Sequence, residues 1–217
     1  MGRVVPDPSN IPFYDGRRMD ATVMFLDICS FSARPSSTAE EQENLLRILS
    51  LFFTEMIRIV EDYGGFVEKN TGDGLMAYFV HEGDEVPMQQ RALTAALTMF
   101  HAAYSIINPV IIRSGMQAID FRICLDHGPI TTAKVGASRG FNGIVAIGAT
   151  ANIASKMLAY ADRNTILVGT MVLGGLPDEW KERFVELKTA DTGWIFTSDE
   201  RPYAFWEYKG RWTGPVQ

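Results

Sequence analysis

A long helical pattern between short β-type runs is the feature that most constrains this fold. Residues 21–28 form an apolar run that predicts a buried strand, and residues 66–71 and 75–80 predict two more. Ser37 and Glu40 have the spacing of a capping box, which predicts that a helix begins there. Its apolar residues recur at steps of three and four, as on a helix with one buried face: Leu45, Ile48, Leu49, Phe52, Phe53, Met56, Ile59 and Val60.

The rest of the chain continues this alternation. Further strands are predicted at residues 121–126, 130–135, 165–168, 184–187 and 203–208, and helices at 87–107, 151–161 and 177–183. We expect a turn at residues 127–129 and a glycine-rich loop at 136–148. The order β-α-β-β-α-β followed by further elements predicts an α+β fold with a ferredoxin-like core. Residues 1–20 are rich in proline, glycine and polar residues and predict an arm, so the domain would span residues 21–217.

The composition argues against two classes of partner. The 217-residue chain carries a net charge of −6, whereas general nucleic-acid binders usually have a basic surface. The apolar run at residues 106–112 is too short to span a bilayer and contains Asn108 and Pro109, and the N-terminus lacks the apolar core of a secretory signal. Two cysteines, Cys29 and Cys124, make neither a disulfide framework nor a zinc site. We therefore expect a cytoplasmic protein with no nucleic-acid and no membrane partner.

Two aspartates are candidate metal ligands. Asp27 lies near the end of the first predicted strand, and Asp73 lies in the turn between the next two. In a βαββ order these strands become neighbours, which would bring both carboxylates to one edge of the sheet. Mg²⁺ prefers oxygen ligands and keeps coordination positions for substrate phosphates. Each aspartate alone also suits an ordinary turn or strand end, so the pattern favours a metal site only when both are considered together.

Three segments of the sequence together resemble the class III adenylyl and guanylyl cyclases. They occur in the order and spacing of that family, and they are residues 23–31, 64–79 and 127–157. The resemblance implies a class III cyclase domain, with the ferredoxin-like βαββαβ core and extra C-terminal αβ elements. It implies an enzyme that converts a nucleoside triphosphate to a 3′,5′-cyclic nucleotide and pyrophosphate.

The same resemblance assigns the metal and phosphate sites. Asp27, Asp73 and the carbonyl group of Ile28 match the ligands of two Mg²⁺ or Mn²⁺ ions in each active site. The backbone N–H groups that follow Asp27 would face phosphate oxygens, as suits the turn between a strand and a helix. These are the amides of Ile28, Cys29, Ser30 and Phe31, with Ser32 at the end of the turn.

The remaining family positions act on the base and the ribose. Lys69 matches the residue that contacts the base, Asn152 the one that orients the ribose, and Lys156 the one that touches the α-phosphate. Active sites of this family are shared between subunits. The resemblance therefore implies a homodimer in which Asn152 and Lys156 complete a site whose metal ligands belong to the other subunit.

Two positions depart from the family pattern. Lys156 stands where the family has an arginine, which keeps the charge but loses the two-pronged guanidinium. Val145 stands where adenylyl cyclases have Asp or Thr to accept a hydrogen bond from the adenine amino group. Lysine is only a donor. A pocket with the donor Lys69 and no acceptor at Val145 fits uracil best, because uracil presents two carbonyl acceptors.

The departures favour UTP over other substrates. With such a base pocket, the chain also resembles the pyrimidine cyclases of bacterial anti-phage systems. Those enzymes make cyclic UMP or cyclic CMP as an infection signal. Two alternatives stay open: an adenylyl cyclase that makes cyclic AMP, and a catalytically silent domain that only binds nucleotide or dimerises. A diguanylate cyclase is disfavoured because Gly72, Asp73, Gly74 and Leu75 do not form its signature, and the sequence has no P-loop.

Overall fold

The chain forms a mixed sheet with helices on both of its faces. The computed structural model describes residues 16–70, 72–81, 83, 86–138, 141–187, 192–196 and 199–212, without the side chains of residues 69, 70 and 134–144. The strands are β1 (Gly16–Ile28), β2 (Gly65–Asn70), β3 (Gly74–Val80), β4 (Phe121–Ser138), β5 (Phe141–Ile147), β6 (Ile166–Gly169), β7 (Phe184–Glu186) and β8 (Phe205–Tyr208). The helices are α1 (Ala39–Asp62), α2 (Met88–Ala102), α3 (Asn108–Arg113), α4 (Ala149–Met157) and α5 (Asp178–Lys181).

The strand order confirms the predicted ferredoxin-like core. The described strands are arranged β2-β3-β1-β4-β6-β8-β7, and β5 pairs with β4. The neighbouring strands are antiparallel except for β4 and β6, which are parallel. The first four strands with α1 and α2 form the βαββαβ unit, and the elements after β4 extend the sheet. The fold is therefore mixed α+β, as predicted.

Helix α1 begins one residue later than its predicted capping box. Thr38, not Ser37, is the N-cap: its hydroxyl accepts from the N–H of Glu41 at 3.2 Å, and the Glu41 carboxylate accepts from the N–H of Thr38 at 2.9 Å. The Ser37 N–H also donates to Glu41, at 2.8 Å. The prediction from Ser37 and Glu40 was wrong by one position because two overlapping pairs have the same spacing, and only the backbone geometry distinguishes them.

Three parts of the sheet extend beyond their predicted bounds. Strand β1 begins at Gly16, inside the predicted arm, and residues 1–15 lie outside the described residues. Strand β4 continues through positions 127–129, where a turn was expected. Strand β5 occupies much of the predicted glycine-rich loop at 136–148. In each case pairing with a neighbouring strand overrides the local preference of glycine and proline for turns.

Pro129 is accommodated within β4 because of what surrounds it. Its partner in β1 is Asp20, whereas β6 pairs with β4 only at Ile123–Leu125 and β5 pairs from Thr131 onward. Among the described strands, Pro129 therefore has a neighbour on one side only. A residue without an N–H donor is tolerated at such an edge, which explains why the strand is not interrupted.

Two apolar clusters lie on opposite faces of the sheet. The larger one packs α1 and α2 against the first face, with Phe52, Met56, Phe79, Leu93 and Phe121 among its buried members. The smaller one packs α4 against the second face, and its buried members include Val23, Met76, Tyr78, Ala154 and Met157. We call the second face the α4 face.

The second long helix continues beyond its predicted end near Ile107. A π-helical segment, Ala103–Ile107, joins α2 directly to α3, and Pro109 is tolerated in the first turn of α3. By length and composition alone, the continuous helix Met88–Arg113 could cross a membrane, but half of its most apolar window is buried inside the fold. Burial of that kind is what a core helix requires.

A buried acid and phenol attach the C-terminal strands to the sheet. The hydroxyl group of Tyr203 donates to Asp126 of β4, and both residues are buried. A Cβ atom at Gly169 would collide with both groups, so glycine is required there. Burial raises the pKa of Asp126 to about 7, although the hydrogen bond from Tyr203 opposes this. The folded state therefore favours the protonated acid.

We expect this pair to make stability depend on pH. Because the pKa of Asp126 is higher in the folded chain than in the unfolded chain, its contribution is present at about pH 4 and is lost as pH rises through about 7. In Asp126→Asn that loss should disappear, so the free energies of unfolding of the two proteins should diverge by on the order of 3 kcal/mol over this range. Urea unfolding at several pH values measures it, and parallel curves would contradict it.

Candidate active site

The end of β1 lies against the turn between β2 and β3. Asp27 is paired with Gly74, and the N–H of Ile28 donates to the carbonyl oxygen of Asp73 at 2.9 Å. The two half-buried aspartates are therefore held side by side by backbone pairing. This is the convergence at one edge of the sheet that their positions in the sequence predict. Their role as metal ligands remains a prediction.

Arg122, which no sequence pattern indicated, binds the Asp27 carboxylate. Arg122 is the residue of β4 directly opposite Asp27, and its Nε and Nη2 donate to Asp27 Oδ2 at 2.9 and 2.8 Å. Its Nη1 donates to the carbonyl oxygen of Ala161 at 3.1 Å. Both donors to Asp27 converge on one oxygen, so the ion pair leaves the other carboxylate oxygen for further ligands. Arg122 lies opposite Asp27 only because β1 pairs with β4, and a single sequence does not specify which strands pair.

The turn after β1 leaves fewer amides for a phosphate than the sequence predicts, because the N–H groups of Ile28 and Cys29 both donate to backbone carbonyl oxygens. The N–H of Cys29 donates to the carbonyl oxygen of Asp120 at 2.8 Å, and Ser30 adopts a left-handed conformation with φ 55°. A short 3₁₀ helix, Phe31–Ala33, follows. Burial raises the pKa of the Cys29 thiol, which disfavours a nucleophilic role. The backbone hydrogen bonds reduce the amides predicted to face phosphate to those of Ser30, Phe31 and Ser32.

A second arginine lies beside this turn. Arg163 donates from Nη2 to the hydroxyl oxygen of Ser30 at 2.9 Å and pairs with Asp120 at 3.2 Å. Its side chain is exposed. Together with Arg122 it places two cations around the turn that carries the predicted phosphate-facing amides. Each of these arginines is already paired with an aspartate, so a bound metal would have to supply the further positive charge that an anionic ligand needs here.

Asn152 and Lys156 lie on the exposed side of α4. They are four residues apart and therefore share one helix face, while Ala151, Ala154 and Met157 are buried against the sheet. Gly148 caps the helix, and its carbonyl oxygen accepts from the N–H of Asn152 at 3.2 Å. Within the described residues, no hydrogen bond or ion pair joins Asn152 or Lys156 to either aspartate. The structure of one chain does not bring the two groups together.

The residues assigned to the base lie on β2 and β5. Lys69 pairs with Met76 of β3, and its side chain lies outside the described part of the structure. Val145 is half-buried and pairs with Ala133 of β4. A contact that the sequence did not indicate links these strands, because the N–H of Ala146 donates to Oε2 of Glu68 at 2.7 Å.

The oxygen donors near the end of β1 suit a metal ion that is bound jointly by the protein and its substrate. In the part of the chain that is described, no group of three or more His, Cys, Asp or Glu side chains could enclose an ion. Asp27, Asp73 and the carbonyl of Ile28 are all hard oxygen donors at one place. Such a partial set fits Mg²⁺ or Mn²⁺, which keep positions for water and phosphate oxygens, and it does not fit a closed structural zinc site.

A sequence profile described as the adenylate and guanylate cyclase catalytic domain matches residues 13–190. The chain belongs to this family. The matched region contains the three sequence segments that resemble class III cyclases, and the predicted resemblance to that family is confirmed. The fold class predicted from that resemblance is confirmed as well.

Relatives of this cyclase domain differ in the base that their names specify. An adenylate cyclase of Mycobacterium tuberculosis is 30% identical over 164 residues, which are 76% of this chain and 33% of the relative. A uridylate cyclase of Burkholderia cepacia is 28% identical over 166 residues, 74% of this chain and 69% of the relative. The chain thus spans about a third of the mycobacterial protein but most of the uridylate cyclase.

Solved structures of cyclases share the fold of this domain. The guanylyl cyclase Cya2 superposes with a TM-score of 0.74 at 18% identity, covering 91% of this chain and 95% of Cya2. The adenylyl cyclase CyaB from P. aeruginosa superposes with a TM-score of 0.71 at 20% identity, covering 92% of this chain and 98% of CyaB. At this identity the similarity establishes the architecture alone.

Two substitutions separate the uses of the Asp27 carboxylate. Asp27→Asn and Asp27→Ala should both reduce cyclic nucleotide formation by roughly 10³-fold or more, because neither retains the anionic oxygens that hold a metal. The asparagine oxygen can still accept from Arg122, so only the alanine variant should also lose about 1–3 kcal/mol of stability. Product assays and denaturant unfolding measure the two effects.

Asp73→Ala should lose activity to a similar extent. The matched control is Glu186→Ala, which removes an exposed carboxylate from β7, away from the aspartates. Near-normal activity of Asp27→Asn would contradict the assignment of Asp27 as a metal ligand.

Proposed function

We propose that this cyclase domain converts a nucleoside triphosphate to a 3′,5′-cyclic nucleotide. The 3′-oxygen of the ribose forms a bond to the α-phosphorus, the bond from the α-phosphorus to the bridging oxygen breaks, pyrophosphate leaves, and the hydroxyl proton passes to solvent. The observation that carries this proposal is the backbone hydrogen bond between Ile28 and Asp73, which holds Asp27 and Asp73 side by side. The intact pair disfavours a catalytically silent domain.

The oxygen donors at the end of β1 would hold the ions. Asp27, Asp73 and the Ile28 carbonyl would bind two Mg²⁺ or Mn²⁺ ions, which supply Lewis-acid stabilisation of the attacking and leaving oxygens. Arg122 and Arg163 add positive charge beside a ligand that carries several negative charges. Because the N–H groups of Ile28 and Cys29 already donate to the carbonyl oxygens of Asp73 and Asp120, the amides of Ser30 and Phe31 are the ones that would donate to phosphate oxygens.

The active site of the proposed enzyme is shared between two subunits. Within one chain, Asn152 and Lys156 lie on the exposed face of α4, and among the described residues no hydrogen bond or ion pair joins them to the aspartates. A second copy, arranged so that its α4 faces the end of β1, would complete the site. There Asn152 would fix the ribose so that its hydroxyl is in line, and Lys156 would neutralise charge at the α-phosphate. The proposal includes no nucleic-acid and no membrane partner.

Mixing two inactive variants tests the shared site. Asp73→Ala and Asn152→Ala subunits should each be inactive, but mixed dimers rebuild one intact site out of two. At equal concentrations about half of the dimers are mixed, so about a quarter of the normal activity should return. Product formation after subunit exchange is the measurement, with Asp73→Ala mixed with Asp27→Ala as the control, since that pair rebuilds nothing. Absence of any recovery would contradict the shared site.

We propose UTP as the preferred substrate, followed by CTP. The support is the donor Lys69 together with Val145, a half-buried residue that accepts no hydrogen bond. Leaving a base amino group without an acceptor costs on the order of 1–3 kcal/mol, which is enough to select against adenine. The uridylate cyclases of Burkholderia cepacia and a Rhodovulum strain are matched over 69% and 65% of their lengths, and they support the same choice.

Cyclic UMP made in this way would act as a second messenger. By its similarity to pyrimidine cyclases, we propose that the signal serves anti-phage defence in the cytoplasm. The competing assignment is an adenylyl cyclase that makes cyclic AMP, and it is favoured by the adenylate cyclase names of the mycobacterial relatives. In that case a backbone carbonyl would accept from the adenine amino group.

A substrate panel decides between these assignments. The purified protein is incubated with equal concentrations of ATP, GTP, CTP and UTP, with Mg²⁺ or Mn²⁺, and the products are identified by mass. We expect cyclic UMP to dominate by about tenfold or more over cyclic AMP, the ratio that one unsatisfied hydrogen bond produces. Val145→Asp should shift the preference toward CTP and ATP. If cyclic AMP dominates in the unaltered protein, the pyrimidine assignment is wrong and only the cyclase assignment survives.

A further inference from the structure

Strand β2 contains a β-bulge next to the residue assigned to the base. Val67 is paired with Ala77 of β3 and Lys69 with Met76, so the register shifts between Val67 and Lys69 and Glu68 is the extra residue. Bulges bend a strand locally and change the direction of the residues around them. The bulge therefore determines toward which face of the sheet the positions after Glu68 are directed.

The bulge changes which face of the sheet position 69 belongs to. Val67 packs against the larger apolar cluster, under α1 and α2. Regular alternation would return position 69 to that same face, where a lysine would be buried among apolar side chains. Because of the bulge, position 69 is paired with Met76, which belongs to the α4 face. Residues directly opposite each other share a face.

The side chain of Glu68, on β2, forms a hydrogen bond with the backbone of β5. Its Oε2 accepts from the N–H of Ala146 at 2.7 Å, although β2 and β5 are not neighbours in the sheet. Burial and the Glu68 carboxylate raise the pKa of Tyr78 to about 12, which keeps that phenol neutral on the α4 face. Glu68 is thus inside the structure between the strand of Lys69 and the strand of Val145.

We propose that Glu68 is a positioning residue for base selection. Resting on the proposed function above, the inference is that Glu68 fixes both walls of the base pocket at once: as the bulge residue it sets the position of Lys69, and through the Ala146 N–H it sets the distance to Val145. The distance between these walls decides whether a pyrimidine or a larger purine fits between them. Glu68 itself does not touch the reacting atoms.

Three substitutions separate the length of this side chain from its charge. Glu68→Gln keeps the length and an oxygen that accepts from Ala146, but it removes the charge. Glu68→Asp keeps the charge but is one methylene too short for the 2.7 Å contact. Glu68→Ala removes both, and Glu186→Ala on the exposed face of β7 is the control. For each variant, kcat and KM are measured for UTP, CTP and ATP, and thermal unfolding confirms that the variant is folded.

The proposal predicts a change in selectivity that follows length. In Glu68→Asp and Glu68→Ala, the ratio of kcat/KM between the preferred base and the others should fall about tenfold, mainly through KM, as expected when one ordered hydrogen bond is lost. Glu68→Gln and the control should stay within about twofold of the unaltered protein. If Glu68→Ala does not fold, the comparison of Glu68→Asp with Glu68→Gln decides the question.

Other outcomes would overturn the proposal. A uniform fall in kcat with unchanged selectivity would make Glu68 a purely structural residue. Loss of ATP and CTP turnover alone, with UTP unaffected, would make it a direct acceptor of the base amino group. The selectivity ratio is defined whichever base is preferred, so a preference for ATP would contradict the UTP assignment without deciding the role of Glu68. An unaltered protein that forms no cyclic nucleotide would instead refute the proposed function, along with the role that rests on it.

Discussion

The pairing of β1 on both of its sides is the constraint on which the candidate site depends. One edge of the strand is paired with β3 and the other with β4, so Asp27 has Gly74 on one side and Arg122 on the other. A register slip of one residue would turn Asp27 toward the opposite face of the sheet. It would also separate Asp27 from Asp73 and from its arginine. Such a slip is disfavoured because each face of β1 packs against its own apolar cluster, and the exchanged side chains would not fit the clusters as closely.

The order of the elements could be predicted from the sequence, whereas contacts between distant strands could not. Apolar periodicity gave α1, β3 and the ferredoxin-like order because those signals are local. The elements β6, α5, β7 and β8 begin and end within about two residues of their predicted bounds, whereas β5 was predicted as a loop and α4 ends four residues before its predicted end at residue 161. The continuity of β4 was missed because proline and glycine favour turns, and only the partner strand shows that Pro129 sits at a tolerant edge.

Arg122 and Glu68, two side chains that the sequence did not indicate, each contact a strand that is distant in sequence. Arg122 and Asp27 are 95 residues apart in sequence, and Glu68 and Ala146 are 78 apart. Their chemistry is ordinary, an ion pair and an acid on a backbone amide, and no spacing rule predicts either contact. Family resemblance supplied Asp27, Asp73, Lys69, Asn152 and Lys156 because those residues lie within continuous motifs. Residues that act through the geometry of the sheet leave no such motif.

The proline in β4 has a consequence for how this sheet meets other chains. Between the stretch paired with β6 and the stretch paired with β5, β4 is bordered on that side by none of the described strands. An open strand edge normally offers a row of amide donors and carbonyl acceptors to which a foreign strand can add. Pro129 offers no donor there, and its carbonyl oxygen already accepts from the Thr150 hydroxyl at 3.1 Å. Pro129, which was predicted to lie in a turn, thereby protects this gap in the sheet against the addition of a foreign strand.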